Sequence, residues 1–200
     1  TSKSIKTIYN GIDLMRFPEV QADASFRNGK TVVTMVAGFR YKKDQDTLIK
    51  AFQYLPTEQY ELWLVGDGER RSTLEDLVSR LGILENVRFW GIRSDIPVLL
   101  KSSDIIVMSS HFEGLSLSSI EGMAVDRPFI ASDVDGLHEI TKNAGILFPH
   151  GDAKALANII LRLKEEPYYR QIADRCQQRA SKYDIRKTVT AYLEIYKQLV

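Results

Sequence analysis

The chain has 200 residues, 44% hydrophobic and 26% charged, the balance of a folded domain able to bury a substantial core and not of a disordered chain. Lys and Arg number 27 against 26 Asp and Glu, so a net charge of +1 gives no basic excess for nucleic acid. Cys176 is the single cysteine, which excludes an intrachain disulfide framework and a multi-cysteine zinc site.

In chain order, residues 31–37 are β-branched between Gly29 and Gly38 and read as a buried strand. Residues 46–55 carry Leu48, Ile49, Ala51, Phe52 and Leu55 at helical spacing, and 60–65 form the next strand, stopped by Gly66-Asp67-Gly68. A helix over 69–81 ends at Gly82. Strand 87–90, helix 96–101 with Pro97 near its start, strand 104–108, helix 116–125 and strands 128–131 and 145–148 follow. This alternation predicts an α/β fold, a Rossmann-like doubly wound, mostly parallel six-stranded sheet flanked by helices. After Pro149 the segments 152–164, 167–182 and 185–200 all read as helices. Residues 151–200 hold ten Lys/Arg against six Asp/Glu, a mild asymmetry that solvated helix faces account for. No apolar run approaches the roughly 20 residues of a membrane span. Thr1-Ser2-Lys3-Ser4 lacks the apolar stretch of a secretory signal, and the expected location is cytoplasmic.

In an open α/β sheet, ligands bind beyond the carboxyl ends of the strands, which singles out the loops 38–44, 66–69, 91–95 and 109–116. Glu121 is the strongest anomaly. On a helix over 116–125 it falls within the apolar arc of Leu117, Ile120, Met123, Ala124 and Val125, opposite Ser118, Ser119 and Gly122. A carboxylate facing a core costs several kcal/mol unless it is paired, so it marks either a bound polar ligand or a structural ion pair. Gly122 costs about 1 kcal/mol relative to Ala in a helix, which hints at close backbone approach. Upstream, Glu113-Gly114-Leu115-Ser116 offers a flexible turn with Ser116 as N-cap, and free amides there suit an anion. Carboxylates that accept from diols beside amides and cations that hold phosphates fit a nucleotide-sugar.

The loop Gly38-Phe39-Arg40-Tyr41-Lys42-Lys43-Asp44 concentrates three cations, either a solvated turn or a metal-free clamp on a diphosphate leaving group. Gly66-Asp67-Gly68 is only a fragment of a dinucleotide fingerprint and reads better as a turn. His111 precedes Glu113, His138 sits beside Glu139 near a helix start, and His150 reads as a turn residue; no pair has metal-ligand spacing.

Several segments in order resemble the donor-binding half of GT-B retaining glycosyltransferases of family four. They are Tyr9-Asn10-Gly11-Ile12-Asp13, Lys43-Asp44, residues 46–52, Leu64-Val65-Gly66-Asp67-Gly68, Val87-Arg88-Phe89-Trp90-Gly91, the glutamate pair Glu113 and Glu121, and residues 131–139. The resemblance implies that Glu121 holds the donor ribose hydroxyls and Glu113 contacts the donor sugar. The amides of Gly114, Leu115 and Ser116 would approach sugar and phosphates, and Lys43 the diphosphate. Gly38 lies near the phosphates, and the base lies near Gly91, Ile92 and Arg93. The family usually places an arginine at or directly after the position of Gly38; Arg40 would supply that charge from a shifted position. Asp126 stands where glycine is common, and Gly122 where alanine is usual.

The implied substrate is a UDP- or GDP-linked sugar, with no metal and no cofactor, transferred with retention of anomeric configuration in surface polysaccharide or glycolipid assembly. The acceptor, a sugar or a lipid-linked group, would be bound mainly by an amino-terminal domain not present here, and the full-length enzyme would associate peripherally with the inner face of a membrane. On this reading residues 1–28 lead in from that other domain, 29–183 form the donor-binding domain, and 184–200 form a helix packing toward the absent domain. An exposed apolar patch is expected there. The fragment alone would bind donor nucleotide weakly and transfer nothing. A non-catalytic nucleotide-sugar-binding module and a GT-B epimerase remain the alternatives.

Overall fold

A computed structural model describes residues 5–17 and 20–199. The first four residues, whose composition bears on a secretory signal, and Val200, the last residue of the predicted closing helix, lie outside the described residues. Six strands form one sheet: β1 (Thr31–Val36), β2 (Tyr60–Val65), β3 (Val87–Gly91), β4 (Ile105–Met108), β5 (Phe129–Ser132) and β6 (Ile146–Phe148). All neighbours pair in parallel in the order 3-2-1-4-5-6, with β1 and β2 in register from Thr31 opposite Tyr60 to Val36 opposite Val65. The order reverses between β1 and β4, and a doubly wound sheet opens a ligand crevice at that point, beyond the strands' carboxyl ends.

Every residue of β2, β4 and β5 is buried, as expected of strands covered on both faces. Alternation splits the side chains between two apolar layers. Leu62 and Leu64 join the larger cluster with Met35, Phe52, Phe129 and Phe148. Trp63 and Val65 face a smaller one with Val32 and Leu99, closed by Phe26 and Trp90. Each fully buried Leu, Val or Phe side chain contributes about 1.5–3 kcal/mol.

The connecting helices are α1 (Gln45–Ala51), α2 (Arg71–Arg80), α3 (Ile96–Ser102), α4 (Leu117–Met123) and α5 (Leu137–Thr141); α6 (Ala153–Arg162), α7 (Glu166–Ala180) and α8 (Ile185–Leu199) follow the last strand. Their starts are written in side chains. Asp44 accepts from the Thr47 amide at 3.3 Å, Ser116 from that of Ser119 at 3.3 Å, and Asp152 from that of Ala155 at 2.9 Å. The first helix is shorter than its spacing suggested: after Ala51 the chain tightens into a 3-10 turn over Phe52–Tyr54. Asp126 adopts the left-handed conformation, φ 58°, that glycine would otherwise supply.

The segment before β1 runs against the start of α8. The Ile12 amide donates to the Tyr183 carbonyl at 2.9 Å, the Ile185 amide to the Ile12 carbonyl at 2.9 Å, and the Thr188 hydroxyl to the Tyr9 carbonyl at 2.9 Å. Along α8, Val189, Tyr192, Leu193 and Tyr196 are all exposed, so the helix is no part of this domain's core. No helix of the described residues is long and apolar enough to cross a membrane.

Candidate functional site

The loops after β1, β4 and β5 are tied into one rim at the reversal of strand order. The His111 amide donates to the Lys42 carbonyl at 2.8 Å, the Ser109 hydroxyl to the Asp44 carbonyl at 2.7 Å, and the Ser132 hydroxyl to the Ser110 carbonyl at 2.6 Å. Within this rim Lys43, at the end of a 3-10 turn over Tyr41–Lys43, forms an ion pair with Glu113. The same Glu113 oxygen accepts from the Ser110 hydroxyl at 2.8 Å, and the side chains of Lys43 and Glu113 are only 16% and 9% exposed. Two residues 70 positions apart are thereby assembled into one partly buried charged pair.

Gly136 locks the Glu113 loop in place. Its φ is +78°, and a Cβ there would lie 2.1 Å from the Glu113 carbonyl oxygen and 2.6 Å from that of Gly114. Only a residue without a side chain admits that approach. Among the described residues the amides of Gly114, Leu115 and Ser116 donate to no backbone carbonyl.

Glu121 lies on α4, but the helix is rotated relative to the predicted arc. Leu117, placed in the arc, is 45% exposed, whereas Ser119, placed opposite it, is fully buried with Ile120 and Met123. Gly122 turns toward the sheet, where a Cβ would sit 2.7 Å from the Ile106 Cγ2. The close approach expected of that glycine is therefore to β4 and β5. Glu121, four residues on, shares the Leu117 side and is partly buried. Its side chain is 22% exposed and accepts no hydrogen bond from the described residues; the nearest cation, Arg16, is 3.9 Å away. Burial pushes its carboxyl above the usual range, and Arg16 only partly opposes this.

A cleft of about 300 Å³ opens between the ends of β1, β2 and β3 and the start of α4, lined by Gly38, Gly66, Asp67, Ile92, Arg93 and Ser118. Gly91 ends β3 at φ 67° and its carbonyl accepts from the Gly66 amide at 2.8 Å. Ile92 is 84% exposed, and Arg93 is held by Asp95 through two hydrogen bonds of 2.8 and 2.5 Å while its guanidinium lies over Trp90. Gly66 is a packing point: a Cβ would stand 2.2 Å from the Ala37 carbonyl oxygen, which supports the turn reading of that tripeptide. Arg40 is exposed and forms no ion pair among the described residues.

A larger cavity, about 380 Å³, lies at the other end of the sheet, among Arg27, Lys30, Asp104, Arg127 and Arg170. Its guanidinium groups are already engaged: Arg27 pairs with Asp104 at 2.7 Å, Arg170 with Glu166 at 3.0 Å, and Arg127 donates to the Ser103 carbonyl at 2.7 Å. The carboxyl-end rim, with the Lys43–Glu113 pair and free amides at the strand-order reversal, is the better ligand site.

The histidines carry little signal in the sequence. In the fold His111 and His150, 39 positions apart, meet at 2.6 Å between Nδ1 and Nε2, beside Asp44; only the tertiary structure brings them together. His138 Nδ1 lies 2.5 Å from an Asp133 oxygen.

A 3-2-1-4-5-6 parallel sheet with this rim is the architecture of one Rossmann-like half of a GT-B glycosyltransferase. The structure matches Anabaena HepE in complex with UDP at a TM-score of 0.88 and 27% identity, over 96% of this chain and 57% of that one. The chain belongs to the glycosyl transferases group 1 family, whose model matches residues 17–183. It is 28% identical to the N-acetyl-alpha-D-glucosaminyl L-malate synthase of Bacillus anthracis, over 98% of this chain and 54% of that protein. It is 30% identical to the lipopolysaccharide core biosynthesis glycosyltransferase LpsD of Rhizobium meliloti, over 90% and 53%. The chain spans about half the length of the curated relatives it matches.

Proposed function

We propose that this chain is the donor-binding half of a two-domain glycosyltransferase that transfers a sugar from a nucleoside diphosphate with retention of anomeric configuration, in surface polysaccharide or glycolipid assembly. The observation that carries the reading is the Lys43–Glu113 pair beside the amides of residues 114–116 at the strand-order reversal, with Glu121 on the helix that follows. HepE, the similar structure, has been seen with UDP and with UDP-glucose, which supports a nucleotide-sugar for this cleft as well.

Each group then has a chemical task. The base enters the cleft at residues 91–93, where Gly91 and Ile92 offer backbone groups. Glu121, which accepts no hydrogen bond from the described residues and has only the long 3.9 Å pair with Arg16, accepts from the ribose hydroxyls. Lys43, drawn from Glu113 toward the diphosphate, and Arg40 neutralise the charge that builds on the leaving group. The amides of Gly114, Leu115 and Ser116 hold sugar and phosphate oxygens, Gly38 lets the phosphates approach the backbone, and Glu113 orients the donor sugar. The acceptor attacks the face from which the nucleoside diphosphate leaves. It is held by a second domain docked on the exposed apolar stripe of α8, residues 184–200 forming that contact, residues 1–28 the link, and 29–183 the donor domain.

Calorimetric titration with UDP, GDP and ADP tests the reading. One diphosphate is expected to bind, with affinity lost in Lys43→Ala; absence of binding to all three, both in this chain and in the protein carrying the second domain, would refute it.

A further inference from the structure

The rim holds a second cluster of donors, which the proposed donor chemistry does not use. His111 Nδ1, His150 Nε2 and a carboxylate oxygen of Asp44 all lie within 4.8 Å of one another. His111 Nδ1 is 2.6 Å from the His150 nitrogen and 3.7 Å from Asp44 Oδ2. Asp44 is 4% exposed; among the described residues no Lys or Arg lies within ion-pairing distance of it, and the Arg70 charge acts on it only from farther off. A buried carboxylate is unfavourable unless a cation faces it. Its orientation is set from behind: Oδ2 accepts from the Thr47 hydroxyl at 2.6 Å and Oδ1 from the Thr47 amide at 3.3 Å. The His111 ring is in turn steadied by Tyr41, 4.7 Å away between centroids. A metal-binding carboxylate and imidazole are commonly supported in this way.

We propose that Asp44, His111 and His150 form a binding site for a divalent cation of the zinc class, separate from the donor cleft. Two imidazole nitrogens and one carboxylate oxygen form a donor set suited to zinc, nickel or copper and not to magnesium or calcium. Tetrahedral ligation at about 2.0–2.1 Å sets the two nitrogens about 3.3 Å apart. The pair must therefore open by a fraction of an ångström, and the 3.7 Å separation from Asp44 close slightly. His150 sits exposed on the turn after β6 and can make that adjustment. The ion would brace three segments: the turn that carries Lys43, the loop that carries Glu113 and the turn after β6. This assignment does not rest on the donor reading, because its test contains no nucleotide.

Zinc is titrated calorimetrically into the tag-free chain at neutral pH. One equivalent is expected to bind, with affinity falling roughly tenfold or more in His111→Gln and in His150→Gln. His138→Gln, whose histidine faces Asp133, keeps the parent affinity, and magnesium gives no binding. Circular dichroism reports whether each variant is folded. Should a variant fail to fold, the absorption spectrum of the cobalt-loaded parent decides, with tetrahedral bands expected. No bound zinc in the parent, parent-like affinity in the two folded variants, or a six-coordinate cobalt spectrum would each overturn the proposal.

Discussion

Replacing Gly136 by Ala isolates the contact that holds the Glu113 loop. Two costs add. At φ +78° and ψ −50°, a sparsely populated region for an L-residue, the backbone costs about 1–3 kcal/mol. The new Cβ would also stand 2.1 and 2.6 Å from two carbonyl oxygens, far inside contact distance, and both belong to backbone that cannot rotate aside. Relief by backbone movement adds about 1–3 kcal/mol, as overpacking does elsewhere, for a total of about 2–6 kcal/mol. Gly82, at φ +69° with open space for 4 Å around the place a Cβ would take, is the matched control, and Gly82→Ala should cost only the conformational part, about 1–2 kcal/mol. Denaturant unfolding with unchanged m-values measures both; a thermal readout shows about 2–4 °C per kcal/mol for a domain of this size. Because the Glu113 loop must move, Gly136→Ala should also weaken UDP binding about tenfold or more, while Gly82→Ala leaves it intact. Equal stability losses in the two variants would refute the steric argument.

Three other outcomes follow from charge and burial. Because burial holds the Glu121 carboxyl above its ordinary value of 4.5, the folded chain binds that proton more tightly than the unfolded one. Its ionisation thus opposes folding as pH rises, and Glu121→Gln should raise the Tm near neutral pH and leave it unchanged well below pH 4.5; UDP affinity should fall about tenfold to a hundredfold, the worth of hydrogen bonds to a charged acceptor. A lower Tm for the variant at neutral pH would mean that the Arg16 pair outweighs the burial of the Glu121 carboxylate. Asp184 goes the other way: hydrogen bonds from the Arg186 side chain and amide bring it from 3.8 to about 2. Its contribution is complete above pH 3.8 and is lost as pH falls toward 2, so the Tm difference between parent and Asp184→Asn should shrink over that interval in acid melts. Cys176 is fully buried and its thiol is pushed up to about 12, so a disulfide reagent should modify it only in denaturant; prompt labelling of the native chain at pH 8 would contradict its buried place on α7.

Much of the fold follows from local pattern. The β-branched run at 31–36, the run 60–65 stopped by Gly66-Asp67-Gly68, and the caps Asp44, Ser116 and Asp152, are signals that a few neighbouring residues carry by themselves. Glu113 and Lys43 stand out in the sequence because loops at strand ends are where ligands bind, and because they match a known pattern. The rotation of α4 is different. Leu117 and Ser119 are apolar and polar in sequence, yet the first is exposed and the second buried, because a seven-residue helix is oriented by what packs on it. Here the close fit of Gly122 on Ile106 and Phe129 outweighs the arc that its own side chains suggest.

The sequence alone therefore determined the order of elements, the parallel α/β class and the chemical character of the rim, since each rests on short-range periodicity, capping or a residue's own functional group. The tertiary structure decided which of those groups meet. The Lys43–Glu113 pair, the Gly136 contact beneath the Glu113 loop and the His111–His150 approach join residues 70, 23 and 39 positions apart. Such distances are set by strand order and loop packing, and no local pattern in the chain encodes them.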